Sequence, residues 1–177
     1  MIYIALLRGI NVSGHKKIPM AELRSVLEKS GLEDVGTYIQ TGNVFFNSRK
    51  KSVDHLETHI HKVIKSHFGF EVMVIIKKPA DIQRIINNCP FSEHKKLKSY
   101  FTLLKTIPSE ELIAEAIKKQ YLNEEYHILD DCIYFFCEAG AGKAKFNMNF
   151  FERKLNTVST TRNYNTMMKL LSLSSEK

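Results

Sequence analysis

The hydrophobic and polar positions of the chain change period several times. Ile2 to Leu7 is an unbroken apolar run, which reads as a strand. Leu23, Val26 and Leu27 repeat at helical spacing after Pro19, so a helix is predicted from Pro19 to about Ser30, stopped by Gly31. "TYIQTGNVFFN" holds two short β-rich runs around Thr41-Gly42 and predicts a hairpin. Ser52 can cap a second helix, whose apolar stripe is Val53, Leu56, Ile60, Val63, Ile64 and Phe68. Gly69 ends it and "EVMVIIK" is a strand. The order is β-α-β-β-α-β, which is ferredoxin-like. A further helix, about Ala80 to Asn88, leads to Pro90.

The second half starts again. "KSYFTLLKTIP" reads as a strand, "SEELIAEAIKKQ" as a helix, and "YHILDDCIYFFC" as a hairpin turning at Asp130-Asp131. Two more helices follow, one with Phe150, Phe151 and Leu155, the other with Met167, Met168, Leu170 and Leu171. No final strand is evident. The expected class is therefore α+β, with two α+β subdomains at 1–90 and 91–177. The first is ferredoxin-like and the second a related β-α-β-β-α-α arrangement.

A repeat underlies this order. Pro19 and Pro108 lie 89 apart (108 − 19), and the same offset pairs Ile39 with Ile128, Val44 with Ile133, Phe45 with Tyr134 and Phe46 with Phe135. Upstream, "YIALLR" matches "YFTLLK". In the second copy Lys105 reaches Ile107 across Thr106 alone, whereas Arg8 reaches Ile18 across the nine residues Gly9 to Lys17. Eight residues of the first copy (nine minus one) are thus extra to the fold. An added loop between a strand's end and a helix start is a common place for binding, although surface loops also tolerate insertion cheaply.

The chain has 177 residues, 44% hydrophobic and 25% charged, the composition of an ordinary globular protein. A net charge of +7 favours anionic partners. Three cysteines without a C-x-x-C pair argue for a reducing compartment, and the short apolar start lacks a signal peptide's basic region, so a cytoplasmic protein without membrane association is expected.

Candidate chemistry concentrates in the loops. Arg8 can donate in a bidentate fork, Gly9 and Gly14 permit close backbone approach, and Lys16 and Lys17 add charge, which suits an anion. "GAGK", Gly140 to Lys143, follows a strand, but Cys137 and Ala144 stand where a P-loop needs Gly and Ser or Thr, so a plain glycine turn is expected. Residues 140 to 170 carry six cations, among them Lys143, Lys145 and Arg162, against Glu152 alone. In "TTRNYNT", Arg162, Asn163 and Asn165 cluster around Tyr164, and Asn165 or Thr166 can cap the last helix.

His55 and His59 stand at i, i+4, but "HLETH" misplaces the Glu of a zinc hydrolase motif and no third ligand is marked. Surface histidines are expected, with no metal and no cofactor. Cys132 and Cys137 fall on opposite faces of one strand and read as packing. No serine elbow or catalytic carboxylate pair is present, so no catalytic residue is assigned. An enzyme would need a pocket holding a perturbed titratable group. An RNA-recognition sheet is also β-α-β-β-α-β, but here the first and last strands are apolar at odd and even positions alike, so both sheet faces are expected to be buried.

"ALLRGINVSG", "YIQTGNVFF", "FGFEVMVIIKKPAD" and "ERKLNTVSTTRNYNT" together resemble the recurring motifs of the bacterial domain-of-unknown-function 1697 family, over nearly the whole chain. The resemblance implies two α+β subdomains and no established activity. It carries over Arg8, Gly9, Asn11, Gln40, Asn43, Arg162, Asn163 and Asn165 as motif positions. The chain departs from the pattern at Ser13, Ala144 and Tyr164, where the family has Gly, Ser and Trp, so no hydroxyl role transfers to Ala144.

Two functions from different classes fit these residues. In the first, a phosphate-bearing ligand, a nucleotide or nucleic acid, binds a site joining Arg8–Lys17 to Arg162–Asn165. In the second, Arg8, Asn11, Gln40 and Asn163 form a structural hydrogen-bonded network and the protein is a protein-interaction module. The burial of Arg8 and Arg162 discriminates between them.

Overall fold

The computed structural model describes residues 1–175, which divide into two compact units. The first comprises Met1–Arg84 with the segment from Lys169 onward, and the second Ile85–Met168.

In the first unit β1 (Ile2–Leu7), β2 (Glu33–Tyr38), β3 (Asn43–Asn47) and β4 (Val74–Lys77) form one antiparallel sheet in the order β2-β3-β1-β4. Helices α1 (Met20–Lys29) and α2 (Val53–Phe68) supply the other half of its core. Tyr3, Ala5 and Leu7 of β1 join Leu23, Leu27, Leu56, Ile60 and Ile64 there. The alternate residues Ile4 and Leu6 are also fully buried, so both sheet faces are covered, as the unbroken apolar pattern predicts. Ser52 caps α2 by accepting the His55 N–H, and Gly69 closes it at φ 80°.

The second unit repeats the plan. β5 (Tyr100–Leu104), β6 (Glu124–Leu129), β7 (Cys132–Cys137) and β8 (Ser159–Asn163) lie in the order β6-β7-β5-β8, with α5 (Glu110–Ala116) and α6 (Met148–Leu155) packed together. Between the sheets in sequence lie α3 (Pro79–Asn87) and α4 (Glu93–Leu97), and α7 (Tyr164–Ser175) follows β8. Two α+β subdomains with ferredoxin-like strand order are thus present.

The second subdomain corrects the sequence expectation in one respect. "STTRN" is a strand, so its order is β-α-β-β-α-β before the last helix. The strand is polar because its hydroxyls are satisfied internally: the Thr102 and Thr161 hydroxyls bond at 2.8 Å. Helix α5 also ends at Ala116, short of the predicted Gln120. The Tyr126 hydroxyl donates to the carbonyls of Ala116 and Lys119, taking acceptors that a continuing helix would use.

The repeat extends to hydrogen-bond register. Tyr3 faces Phe46 across β1 and β3, and Tyr100 faces Phe135 across β5 and β7. The offset is 97 in the first strands (100 − 3) but 89 in the third (135 − 46), a difference of eight. Arg8 N–H donates to Met73 O at 3.0 Å just as Lys105 N–H donates to Val158 O at 2.9 Å. The eight extra residues therefore lie between matched anchor points.

Candidate functional site

The added segment, Gly9 to Lys17, is a folded turn rather than a floppy tether. Gly9, Asn11, Ser13, Gly14 and Lys16 all have positive φ. The backbone closes through His15 N–H to Val12 O and Asn11 N–H to Lys16 O. The Asn11 carboxamide locks it. Its Oδ1 accepts from Ile18 N–H at 2.8 Å, and its Nδ2 donates to Ile18 O at 3.0 Å and Gln40 O at 2.8 Å. Asparagine suits this place because it tolerates the left-handed conformation and presents an amide of backbone geometry.

Lys16 reaches out of the turn to the carbonyl of Glu71 at 2.7 Å. The Glu71 carboxyl itself is held below its ordinary pKa, mainly by the hydrogen bond and charge of Lys65. Lys17 is exposed and lines an open cleft of about 320 Å³ with Asn11, Gly14, Ile18, Pro19 and Gln40. Arg8 is half-buried and already engaged within the protein.

Asn43 begins β3 with no exposed surface, and its Nδ2 donates to Tyr38 O and Thr41 Oγ1. It shapes the hairpin beside Gly42. At Gly42 φ is 85°, and a Cβ would stand 2.7 Å from that of Leu7. Gln40 is exposed and contributes its backbone carbonyl to Asn11.

In the second unit Arg162 is only 8% exposed. Its guanidinium donates to Thr160 Oγ1 and to Thr161 O, both at 2.8 Å, and burial pushes its pKa down to about 10, which leaves it charged at neutral pH. Arg162 faces Phe101 in the sheet as Lys77, also buried, faces Ile4 in the first unit. The two units thus place a buried cation at the same point of the fourth strand. Asn163, not Asn165 or Thr166, caps the last helix, accepting the Thr166 N–H at 2.9 Å. It takes the part because the helix starts at Tyr164, immediately after β8. Asn165 and Lys143 are exposed. Lys145 is exposed too, and its backbone N–H donates to Glu124 Oε1.

Of the twelve candidates, Arg8, Gly9, Asn11, Lys16, Lys17, Gln40 and Asn43 belong to the first unit and the other five to the second. Asn11, Asn43, Arg162 and Asn163 spend their side chains on this chain's own groups.

No group of three or more His, Cys, Asp or Glu that could hold a metal ion exists among the described residues. His59 meets the Ser30 hydroxyl at 2.9 Å, His61 meets Val72 O at 2.8 Å and His67 meets Glu22. Burial, then the charge of Lys50, lowers the His59 pKa from 6.5, against the Ser30 bond that raises it. The folded state thus prefers the neutral ring, and the unfolded chain takes up the proton first as pH falls. Stability is lost as pH drops below 6.5 toward the lower folded value. Melting curves from about pH 7 to about pH 5 should fall less steeply for His59→Gln than for the wild type.

Two features escaped the sequence reading. Glu57, 5% exposed, occupies a stripe position of α2 and accepts the Ile76 N–H of edge strand β4 at 2.9 Å. Glu152 on α6 does the same for edge strand β8, accepting from Ser159 N–H and hydroxyl. A glutamate within an apolar stripe was the available signal.

The second feature is an open groove of about 490 Å³ along the edge of β6, with α5 at one side. In the first unit α1 packs closely on β2, whereas α5 leans mainly on α6 and meets β6 through the cluster that Leu112 and Ile113 share with Tyr126 and Ile128. Apolar side chains such as Ile113, Ile117 and Leu129 and polar ones such as Gln120, Glu124 and His127 share its lining, and Ile117 and Leu129 remain 49% and 41% exposed. Beside it β6 is a free edge. Its six residues pair with β7 in uninterrupted register, whereas edge β2 is interrupted by a bulge between Glu33 and Gly36. Among the described residues, no outward backbone group of β6 has a hydrogen-bond partner. No helix of the described residues is long and apolar enough to cross a membrane.

Comparison with known proteins agrees with the fold. Residues 1–134 match the model of a family described as protein of unknown function (DUF1697). A solved structure, described as conserved bacterial protein SP0830 from Streptococcus pneumoniae, is similar at 26% identity and a TM-score of 0.79, with 98% of each chain covered. No curated protein matches. The chain belongs to the DUF1697 family.

Proposed function

We propose that this member of the DUF1697 family is a binding module for other protein chains, and that its polar motif residues are scaffold. One observation carries this reading: β6 offers an unbulged edge of six residues beside a groove of mixed apolar and polar lining. A sheet edge can be extended by a partner strand, whose backbone supplies affinity while neighbouring pockets supply selectivity. The motif side chains fit the scaffold half, because Asn11, Asn43, Arg162 and Asn163 hold groups of this chain.

A pool of blocked hexapeptides, screened by saturation-transfer NMR, tests it. The wild type is expected to retain members of the pool, and Ile117→Asp and Leu129→Asp to release them. No retention, or equal retention by both variants, would overturn the reading.

A second reading keeps a phosphate-bearing ligand, nucleotide or nucleic acid. It is favoured by Lys17 on the cleft of the positive-φ turn and by exposed Lys143 and Lys145. Saturable binding of labelled single-stranded DNA or ATP at low salt, weakened by Lys17→Ala and by added salt, would establish it. The docking account expects none.

A further inference from the structure

The first unit also holds a cavity of about 130 Å³, more enclosed than the β6 groove or the Asn11 cleft. Three segments meet there: Ser30 to Glu33, leading from α1 into β2; Ser48 to Lys50, after β3; and His59 of α2. Lys50 is fixed through its backbone, since its N–H donates to Ser48 Oγ at 3.2 Å and its carbonyl accepts the Tyr3 hydroxyl at 3.1 Å. Its ammonium is exposed and has no hydrogen-bond or ion-pair partner among the described residues. Arg49, by contrast, is matched by Glu33 at 3.4 Å. Burial and the Lys50 charge keep His59 neutral at pH 7, so two cations and one carboxylate leave the cavity a net charge of one. The Ser30 hydroxyl donates to Leu27 O at 2.7 Å and therefore accepts the His59 Nε2–H at 2.9 Å. That hydroxyl can turn to a ligand without stranding Leu27 O, which also accepts from Ser30 N–H and Leu32 N–H. The last carbonyls of α1 are likewise occupied, Val26 O by Ser30 N–H and Glu28 O by Gly31 N–H.

We propose that this cavity binds a single carboxylate group, one oxygen on the Lys50 ammonium and the other on the Ser30 hydroxyl, with His59 Nε2–H holding the hydroxyl in place. The site lies in the first unit and does not depend on the docking reading at β6. Charge selects the ligand. Lys50 is the one cation of the lining without a partner, and it matches a monoanion. A dianionic phosphate would bring a second negative charge against Glu33 with no further cation to meet it. Size agrees, because about 130 Å³ is the room of about four waters at their share of liquid volume, enough for a carboxylate and its α-carbon and too little for a nucleotide. His59 acts through Ser30 and is a positioning residue: by donating to the hydroxyl oxygen it strengthens the hydroxyl as a donor. A small carboxylic acid and the carboxyl end of a chain carry the same group.

The probes are acetate, N-acetylglycine, N-acetylglycine amide and inorganic phosphate, each titrated into the isotope-labelled full chain at ionic strength held constant with sodium chloride. Acetate and N-acetylglycine should move the amides of Ser30 to Glu33 and of Lys50 to saturation, and the amide should not. Lys50→Gln and Ser30→Ala should each weaken binding about tenfold, the scale of one charge-assisted hydrogen bond. His59→Leu should weaken it as well, and His59→Gln, which keeps an N–H donor, should restore it. Tighter binding of N-acetylglycine than of acetate would assign the site to a chain end, and equal binding to a free small acid. Phosphate binding more tightly than acetate would overturn the proposal. So would shifts that grow with acetate without saturating, or binding that Lys50→Gln and Ser30→Ala leave unchanged. None of these outcomes involves β6, so the docking reading is judged separately by its own peptide screen.

Discussion

Replacing Asn11 by alanine should destabilise the protein by about 3 kcal/mol, the sum of three lost side-chain hydrogen bonds in a partly exposed turn and a left-handed alanine. The carboxamide holds both backbone groups of Ile18 and the carbonyl of Gln40, so one truncation frees the turn at both ends. At this chain length that corresponds to roughly 6–12 °C in melting temperature. Asn11→Gly should cost about 1 kcal/mol less, because glycine removes the strain of φ 54° but none of the hydrogen-bond loss. Thermal denaturation of the pair separates the two contributions. A melting temperature unchanged in Asn11→Ala would mean that the residue serves something other than the fold.

The second large effect is expected at Glu57. Its Oε1 is the acceptor for Ile76 N–H on a buried edge strand, where water cannot take over. Glu57→Leu should cost about 2–3 kcal/mol, the price of a buried donor left without a partner. Glu57→Gln keeps an acceptor oxygen and should lose about 1 kcal/mol. Urea unfolding should show lower midpoints with unchanged slope. Glu152→Leu in the second unit should behave alike, since it strands both the N–H and the hydroxyl of fully buried Ser159. Equal stability of Glu57→Leu and wild type would show that the helix-to-edge link is incidental.

The strands and helices were legible wherever burial required an apolar period. β1 declares itself because five of its six residues are buried, and α2 because Leu56, Ile60 and Ile64 recur on one face. β8 was illegible because Ser159, Thr160, Thr161 and Arg162 satisfy their polarity inside the second unit, so a nearly buried strand reads as a polar loop. The repeat was visible through its aromatic pairs. The reason for Asn11 was not, since its partners are backbone groups 7 and 29 residues away. The groove was hidden for a different reason. It depends on where α5 stops and on which neighbour it leans against, and periodicity encodes neither.

The added loop at Gly9–Lys17 thus changes meaning. Its Asn11 is a clasp between two segments of the first unit, and its lysines are what remains for an anion. The proposed docking surface lies elsewhere, on the second copy, where the edge strand has no bulge and the neighbouring helix leans mainly on α6.

The most direct measurement is a titration of the isotope-labelled protein with a blocked hexapeptide of high β-propensity and, separately, with ATP, read by amide chemical shifts. The account predicts that the peptide moves the amides of Glu124 to Leu129 and that ATP moves none to saturation. Saturable shifts from ATP at Gly9 to Lys17 or at Lys143 to Lys145, with β6 silent toward the peptide, would contradict it.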